Sequence, residues 1–134
     1  MRTLGWALFG ATCVLFLTQG LLLAASDYRM LSYDVLADQT FPLLGLGAVI
    51  GAGVGALIVS RYPRNVVGWL LLVGQFGNVI GLAADAFLVL VAQGLVDDAW
   101  AGAAEYVQAL FDATFAVSFI SVLFMIAPDG RLLS

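Results

Sequence analysis

Residues 41–59 read FPLLGLGAVIGAGVGALIV, an uncharged apolar run that is long enough to cross a membrane as a helix. A hydrocarbon layer of about 30 Å needs about 20 such residues, because each residue of a helix rises about 1.5 Å. Three more runs flank this one, at about 4–25, 66–93 and 103–127. We therefore predict an all-α fold, an integral membrane four-helix bundle in which residues 1–134 form a single domain.

The composition places the chain outside the soluble class. Hydrophobic residues make up 63% of it, charged residues only 10%, and the mean hydropathy is +1.05. A soluble domain averages about 45–50% apolar and about 25% charged residues. There is no histidine, the commonest general base and metal ligand. We expect no catalysis, no cofactor and no metal site, and the missing basic patch argues against nucleic acid as a partner.

The arginines predict the orientation of the helices. Arg2, Arg61, Arg64 and Arg131 fall at the same side of a four-helix chain, and only Arg29 falls at the other. Because cytoplasmic loops carry the excess of basic residues, both termini are expected in the cytoplasm.

A cleaved signal peptide is the alternative for the first apolar run. Residues 24–26, Ala-Ala-Ser, resemble a cleavage site. The run of about 22 residues exceeds the usual signal core of about 7–15, which favours a retained first helix.

Glycines repeat along two of the predicted helices. Residues four apart lie almost above one another on a helix, so such glycines form a groove in which a neighbouring helix approaches closely. The alternative is that they serve packing alone, without any movement. The glycines concerned are Gly47, Gly51 and Gly55 of the second helix and Gly74, Gly77 and Gly81 of the third.

Two acids, Asp85 and Asp112, fall within apolar runs, and Asn78 and Gln108 share their polar stripes. An ionised carboxylate at such depth costs at least about 2.5–3.5 kcal/mol, so each acid should be protonated, paired or hydrated. These four residues form our candidate polar site, for a proton or a cation. The structural alternative is interhelical hydrogen bonding, of Asp85 with Gln108 or of Asp112 with Asn78. Simple exposure in the outer leaflet is a third interpretation.

Two short segments, residues 60–69 (SRYPRNVVGW) and 127–132 (APDGRL), follow predicted helices. Pro63 should end the second helix, Asn65 should cap the third, and Trp69 should lie at the membrane interface. The second segment predicts a tight turn. The residues singled out are Arg61, Pro63, Arg64, Asn65, Gly68, Trp69, Pro128, Asp129, Gly130 and Arg131.

Together these segments resemble the membrane-embedded N-terminal region of sensor histidine kinases, mainly those of actinobacteria. That family has R-x-P-x-N-P-I-G-W-L between two helices and F-P-D-G-R-L-P-S after a later one. Here residues 61–70 read RYPRNVVGWL and residues 127–134 read APDGRLLS, and each segment lacks one of the prolines.

The resemblance implies a multi-pass sensor in the bacterial cell membrane, part of a two-component signal transduction system. Helix movements would pass to a cytoplasmic kinase domain in cis. The lipid bilayer is a further expected partner, and a second copy of the chain, in a homodimer, is another candidate. Since the chain has no histidine to phosphorylate, we expect it to be a fragment or a stand-alone remnant of such a kinase.

Two other classes of protein fit the same pattern. A small proton-coupled transporter would also have four helices and a similar length, although it usually needs an acid near the midplane of the membrane. A structural partner subunit of another membrane protein is the third alternative.

Overall fold

The computed structural model describes residues 2–26, 43–111 and 122, and its regular structure there is entirely helical. This confirms the all-α class, and three of the described helices, at the places of three predicted spans, are long and apolar enough to cross a membrane. The helices are α1 (Arg2–Ala25), α2 (Leu43–Arg61), α3 (Val66–Ala92) and α4 (Ala101–Leu110), with a 3-10 turn at Asp98–Trp100 before α4.

The helices α1, α2 and α3 all pack against one another, whereas α4 packs on α3. The core of the packing is small: Ala52, Ala56 and Val59 of α2 and Leu72 of α3 are fully buried. Short side chains at a helix crossing let the backbones approach, so van der Waals contact replaces the hydrophobic driving force that is weak in lipid.

The directions of the helices follow from one contact. A Cβ atom built on Gly5 of α1 would lie 3.3 Å from Val59 Cγ1 and 3.7 Å from Leu72 Cδ1. The starts of α1 and α3 therefore share one end of the molecule with the end of α2. We call this the arginine end, because Arg61 and Arg64 lie there. The opposite end, which we call the acidic end, carries Asp97, Asp98 and Glu105.

At the acidic end, α3 stops where its local sequence dictates. Gly94 has a φ of 68°, the left-handed conformation that a glycine adopts at little cost. Leu95 N donates to Leu90 O (3.0 Å) and Gly94 N donates to Val91 O (2.9 Å), the two hydrogen bonds of a Schellman motif. The 27 residues of α3 rise about 40 Å, and the helix ends within one residue of the predicted boundary.

Only the first part of the fourth predicted span, and Val122, lie among the described residues. We expected a continuous helix at about 103–127, but α4 ends at Leu110 because Phe111 has non-helical angles, φ −113° and ψ 21°. Residues 112–121 and 123–134 lie outside the described residues, and so do the predicted roles of Asp112, Pro128, Asp129, Gly130 and Arg131.

Candidate polar site and glycine contacts

One hydrogen bond joins α3 to α4 at the candidate polar site. Gln108 Nε2 donates to Asp85 Oδ1 over 2.7 Å, and both groups are partly buried. This is the interhelical pair that the structural interpretation of Asp85 predicts. Because a carboxylate accepts at two oxygens, this bond is one of several that the Asp85 side chain is able to make. The role of this site in binding a proton or a cation stays a prediction.

The backbone contact below this bond explains why Gly81 is a glycine. A Cβ atom on Gly81 would lie only 2.8 Å from Phe111 O and 3.0 Å from Phe111 Cβ. Gln108 faces Asp85, and Phe111, three residues later, faces Gly81, four residues earlier. The two helices therefore run antiparallel with their backbones in contact, and the glycine is what permits Phe111 to approach α3.

The other predicted members of the site are placed only in part. Asn78 precedes Asp85 by seven residues, or about two turns, so the two lie on the same side of α3. Asn78 is half-buried. The predicted contact of Asp112 with Asn78 falls outside the described residues. Within those residues, no three Cys, Asp or Glu side chains are grouped so that they could hold a metal ion.

Gln19 of α1 is a polar residue that the sequence patterns did not single out. It is only 1% exposed, and among the described residues neither its Nε2 nor its Oε1 has a hydrogen-bond partner. Thr12, on the same helix, is equally buried but donates to Leu8 O at 2.9 Å. The signal was present in the sequence, because Gln19 is the one amide side chain in the apolar run of α1.

The glycines of α2 make contacts of three different kinds. A Cβ atom on Gly55 would lie 2.9 Å from two backbone atoms of α3, Gly68 O and Leu72 N. One on Gly51 would lie 3.0 Å from Cγ of the flexible Gln75 side chain. One on Gly47 would meet no atom within 4 Å. Gly51 and Gly55 thus face α3, whereas the described structure leaves open space beside Gly47, whose role in helix packing stays a prediction.

Two further glycines pack closely, and we did not predict them in this role. Gly68, which we assigned to the loop motif, lies in the first turn of α3, where a Cβ atom would be 2.8 Å from Ile58 Cγ2. Gly45 of α2 lies against the ring of Phe16 in α1. On α3, Gly77 is buried and Gly74 is half-buried. Spacing by four did not identify Gly45 and Gly68, because neither has a glycine four residues before or after it.

The loop at the arginine end is held by hydrogen bonds from the start of α3. Asn65 Oδ1 accepts from Gly68 N at 3.1 Å, which confirms the predicted cap of the third helix. Trp69 Nε1 donates to Pro63 O at 2.8 Å, so the indole of α3 is tied to the loop. The loop therefore has a defined shape, with Arg61 and Arg64 exposed on it.

Comparison with known proteins adds nothing to these observations, since no protein-family model, curated protein or solved structure matches the chain. The class that the helices of residues 2–26 and 43–111 define is an all-α protein, with three helices in these ranges able to span a membrane.

The bond between Asp85 and Gln108 should carry a measurable coupling energy. In a double-mutant cycle of Asp85→Leu and Gln108→Leu, we expect a coupling of about 0.6 kcal/mol, and at most about 1.7, the range of side-chain hydrogen bonds between membrane helices. The free energy of unfolding is measured in mixed micelles by titration with a denaturing detergent. Strictly additive single effects, within about 0.3 kcal/mol, would show that the pair is not energetically coupled.

Proposed function

We propose that this chain is a non-catalytic integral membrane module of the bacterial cell membrane, the sensory part of a signal-transduction histidine kinase. The observation that carries the proposal is the position of α3. One part of it bonds to α4 through Asp85 and Gln108, and its first turn contacts the backbone of α2 through Gly55 and Gly68. A single helix thus connects a polar contact near one end with a close backbone contact near the other.

The proposed topology is a four-helix bundle with both termini in the cytoplasm. Its support is the distribution of charge along the described helices. Arg61 and Arg64 lie at the end where α1 and α3 begin, and the three acids Asp97, Asp98 and Glu105 lie beyond the end of α3. By the positive-inside rule the arginine end is the cytoplasmic one.

Signal transmission would proceed by small shifts between packed helices. Closely packed interfaces tend to change between discrete arrangements, because an interior at high density does not deform continuously. A change at the pair Asp85–Gln108 would move α3, and the contact of Gly55 with Gly68 would pass that movement to the arginine end. A cytoplasmic kinase domain in cis, and a homodimer of that domain, would read it out.

The first test is to read the coding frame beyond Ser134. We expect it to continue into a helix that bears the phosphorylated histidine, followed by an ATP-binding domain. A stop codon directly after Ser134 would contradict the assignment to a kinase.

A second test separates the proposal from a proton-coupled transporter. The purified protein is placed in weakly buffered detergent, a lipophilic cation is added, and a pH indicator records released protons. We expect no release from the wild type or from Asp85→Asn. Stoichiometric release that disappears in Asp85→Asn would instead assign Asp85 to proton-coupled transport.

A further inference from the structure

The loop between α2 and α3 forms a basic pocket at the arginine end that is largely open to its surroundings. The pocket has a volume of about 550 Å³ and is lined by Arg61, Tyr62, Pro63, Arg64 and Asn65. Two of these five consecutive residues are arginines. A guanidinium presents a planar fork of donors that matches the oxygens of a phosphate.

The backbone of this pocket is preorganised. Tyr62 N donates to Ile58 O at 2.7 Å, which continues the hydrogen bonding of α2, and Asn65 N donates to Tyr62 O at 2.9 Å, which closes the turn. The cap by Asn65 and the bond from Trp69 to Pro63 hold the other side of the loop. Little backbone entropy is therefore lost when a ligand binds to this loop.

The described structure offers no carboxylate to neutralise these arginines. Its acids are Asp85, Asp97, Asp98 and Glu105, and all of them lie on the part of the chain towards the acidic end. Since α2 and α3 are both of membrane-spanning length and meet at this loop, the pocket lies where lipid headgroups would surround it. Tyr62, 66% exposed, and Trp69 are residues that favour that interface.

We infer that Arg61 and Arg64 bind the phosphate of an anionic phospholipid in this pocket. Basic pockets between membrane helices on the cytoplasmic side are known to hold anionic headgroups. The inference rests on the membrane location in our proposed function but not on the kinase assignment. Phosphate itself is the recognised chemistry, so free phosphate is the source from which the lipid must be distinguished.

The test uses the fluorescence of Trp69 as the reporter, because its indole donates a hydrogen bond to Pro63 O, and Pro63 lines the pocket. Trp6 and Trp100 are replaced by Phe, and the full chain is placed in phosphatidylcholine nanodiscs that contain brominated phosphatidylglycerol or brominated phosphatidylcholine. Bromine quenches the fluorescence of an adjacent indole. We expect brominated phosphatidylglycerol to reach a given degree of quenching at a lower mole fraction than brominated phosphatidylcholine. The difference in mole fraction should be about fivefold for each arginine.

Matched variants identify the residues that bind. In the double variant Arg61→Gln, Arg64→Gln, the two lipids should quench equally. In Arg61→Lys, Arg64→Lys, part of the preference should remain, because the charge is kept while the planar fork is lost. Circular dichroism of each variant verifies its helix content.

Three results would overturn the inference. Equal quenching by both lipids in the wild type would show that no anionic lipid is preferred. A preference that survives in the Gln variant would place the lipid elsewhere. Displacement of the lipid by millimolar inorganic phosphate would assign the pocket to free phosphate. Both faces of a nanodisc are exposed, so these results do not depend on the orientation of the protein. They do not depend on the kinase assignment either, and a failure here leaves the proposed signalling function untouched.

Discussion

Replacing Gly55 by alanine should lower the free energy of unfolding by about 1–3 kcal/mol, the usual cost of overpacking a closely packed interface. The added methyl would lie 2.9 Å from Gly68 O and from Leu72 N. Both are backbone atoms of α3, so no side-chain rotation can relieve the overlap, and the two helices must separate. Titration with a denaturing detergent, followed by circular dichroism, measures the loss.

Two other glycines of the same helix provide matched controls. Gly47→Ala meets no atom within 4 Å and should be neutral, or stabilising by up to about 1 kcal/mol from helix propensity. Gly51→Ala should fall between, because the side chain of Gln75 can move away from the new methyl. The expected order of stability is Gly47→Ala, then Gly51→Ala, then Gly55→Ala. Equal stabilities for the first and the last would contradict the described α2–α3 contact.

Replacing Gln19 by methionine should stabilise the protein by about 1–3 kcal/mol. The amide of Gln19 is buried without a hydrogen-bond partner in the described structure, and an unsatisfied buried amide costs about this amount. Methionine has nearly the same length and shape but no polar atom to desolvate. The gain should appear in the same detergent titration as a shift of the midpoint to higher denaturant.

The control for this prediction is Leu17→Met, two residues away on an exposed face of α1, which should change stability little. Gln19→Glu should act in the opposite direction, because it places a chargeable group where no cation is near in the described structure. A loss of stability in Gln19→Met would show that the amide has a partner in the folded protein. If signalling requires movement of α1, the stabilised variant should also respond less, as stabilising changes at functional positions often do.

The sequence alone does not predict which glycines contact a neighbouring helix or that Gln19 is buried. The repeat Gly47, Gly51, Gly55 looks uniform along the chain, yet a neighbour fills the space beside Gly55 and leaves it open beside Gly47. The rotation of a helix about its own axis depends on all its neighbours together, and spacing within one helix carries no information on it. The burial of Gln19 likewise depends on how α1 sits against the other helices.

Local chemistry, in contrast, follows directly from the order of the residues. The apolar runs predict four spanning helices from length and hydropathy alone, and the described residues contain three helices long and apolar enough to cross a membrane. Asn65 is predicted to cap α3 because an Asn that precedes an apolar run accepts from the first turn. The pairing of Asp85 with Gln108 is one of the alternatives that the polar stripes allow.

Composition and periodicity thus determined the class of this protein, the places where α1 and α3 begin and end, and the list of polar residues that need partners. These properties depend on neighbours within about one turn of helix. Which partner each polar group found and which glycines touch a backbone were decided by the packing of helices that are distant in the sequence. The contact of Phe111 with Gly81 is one such case, because a contact between residues 30 positions apart leaves no periodic signal in either segment.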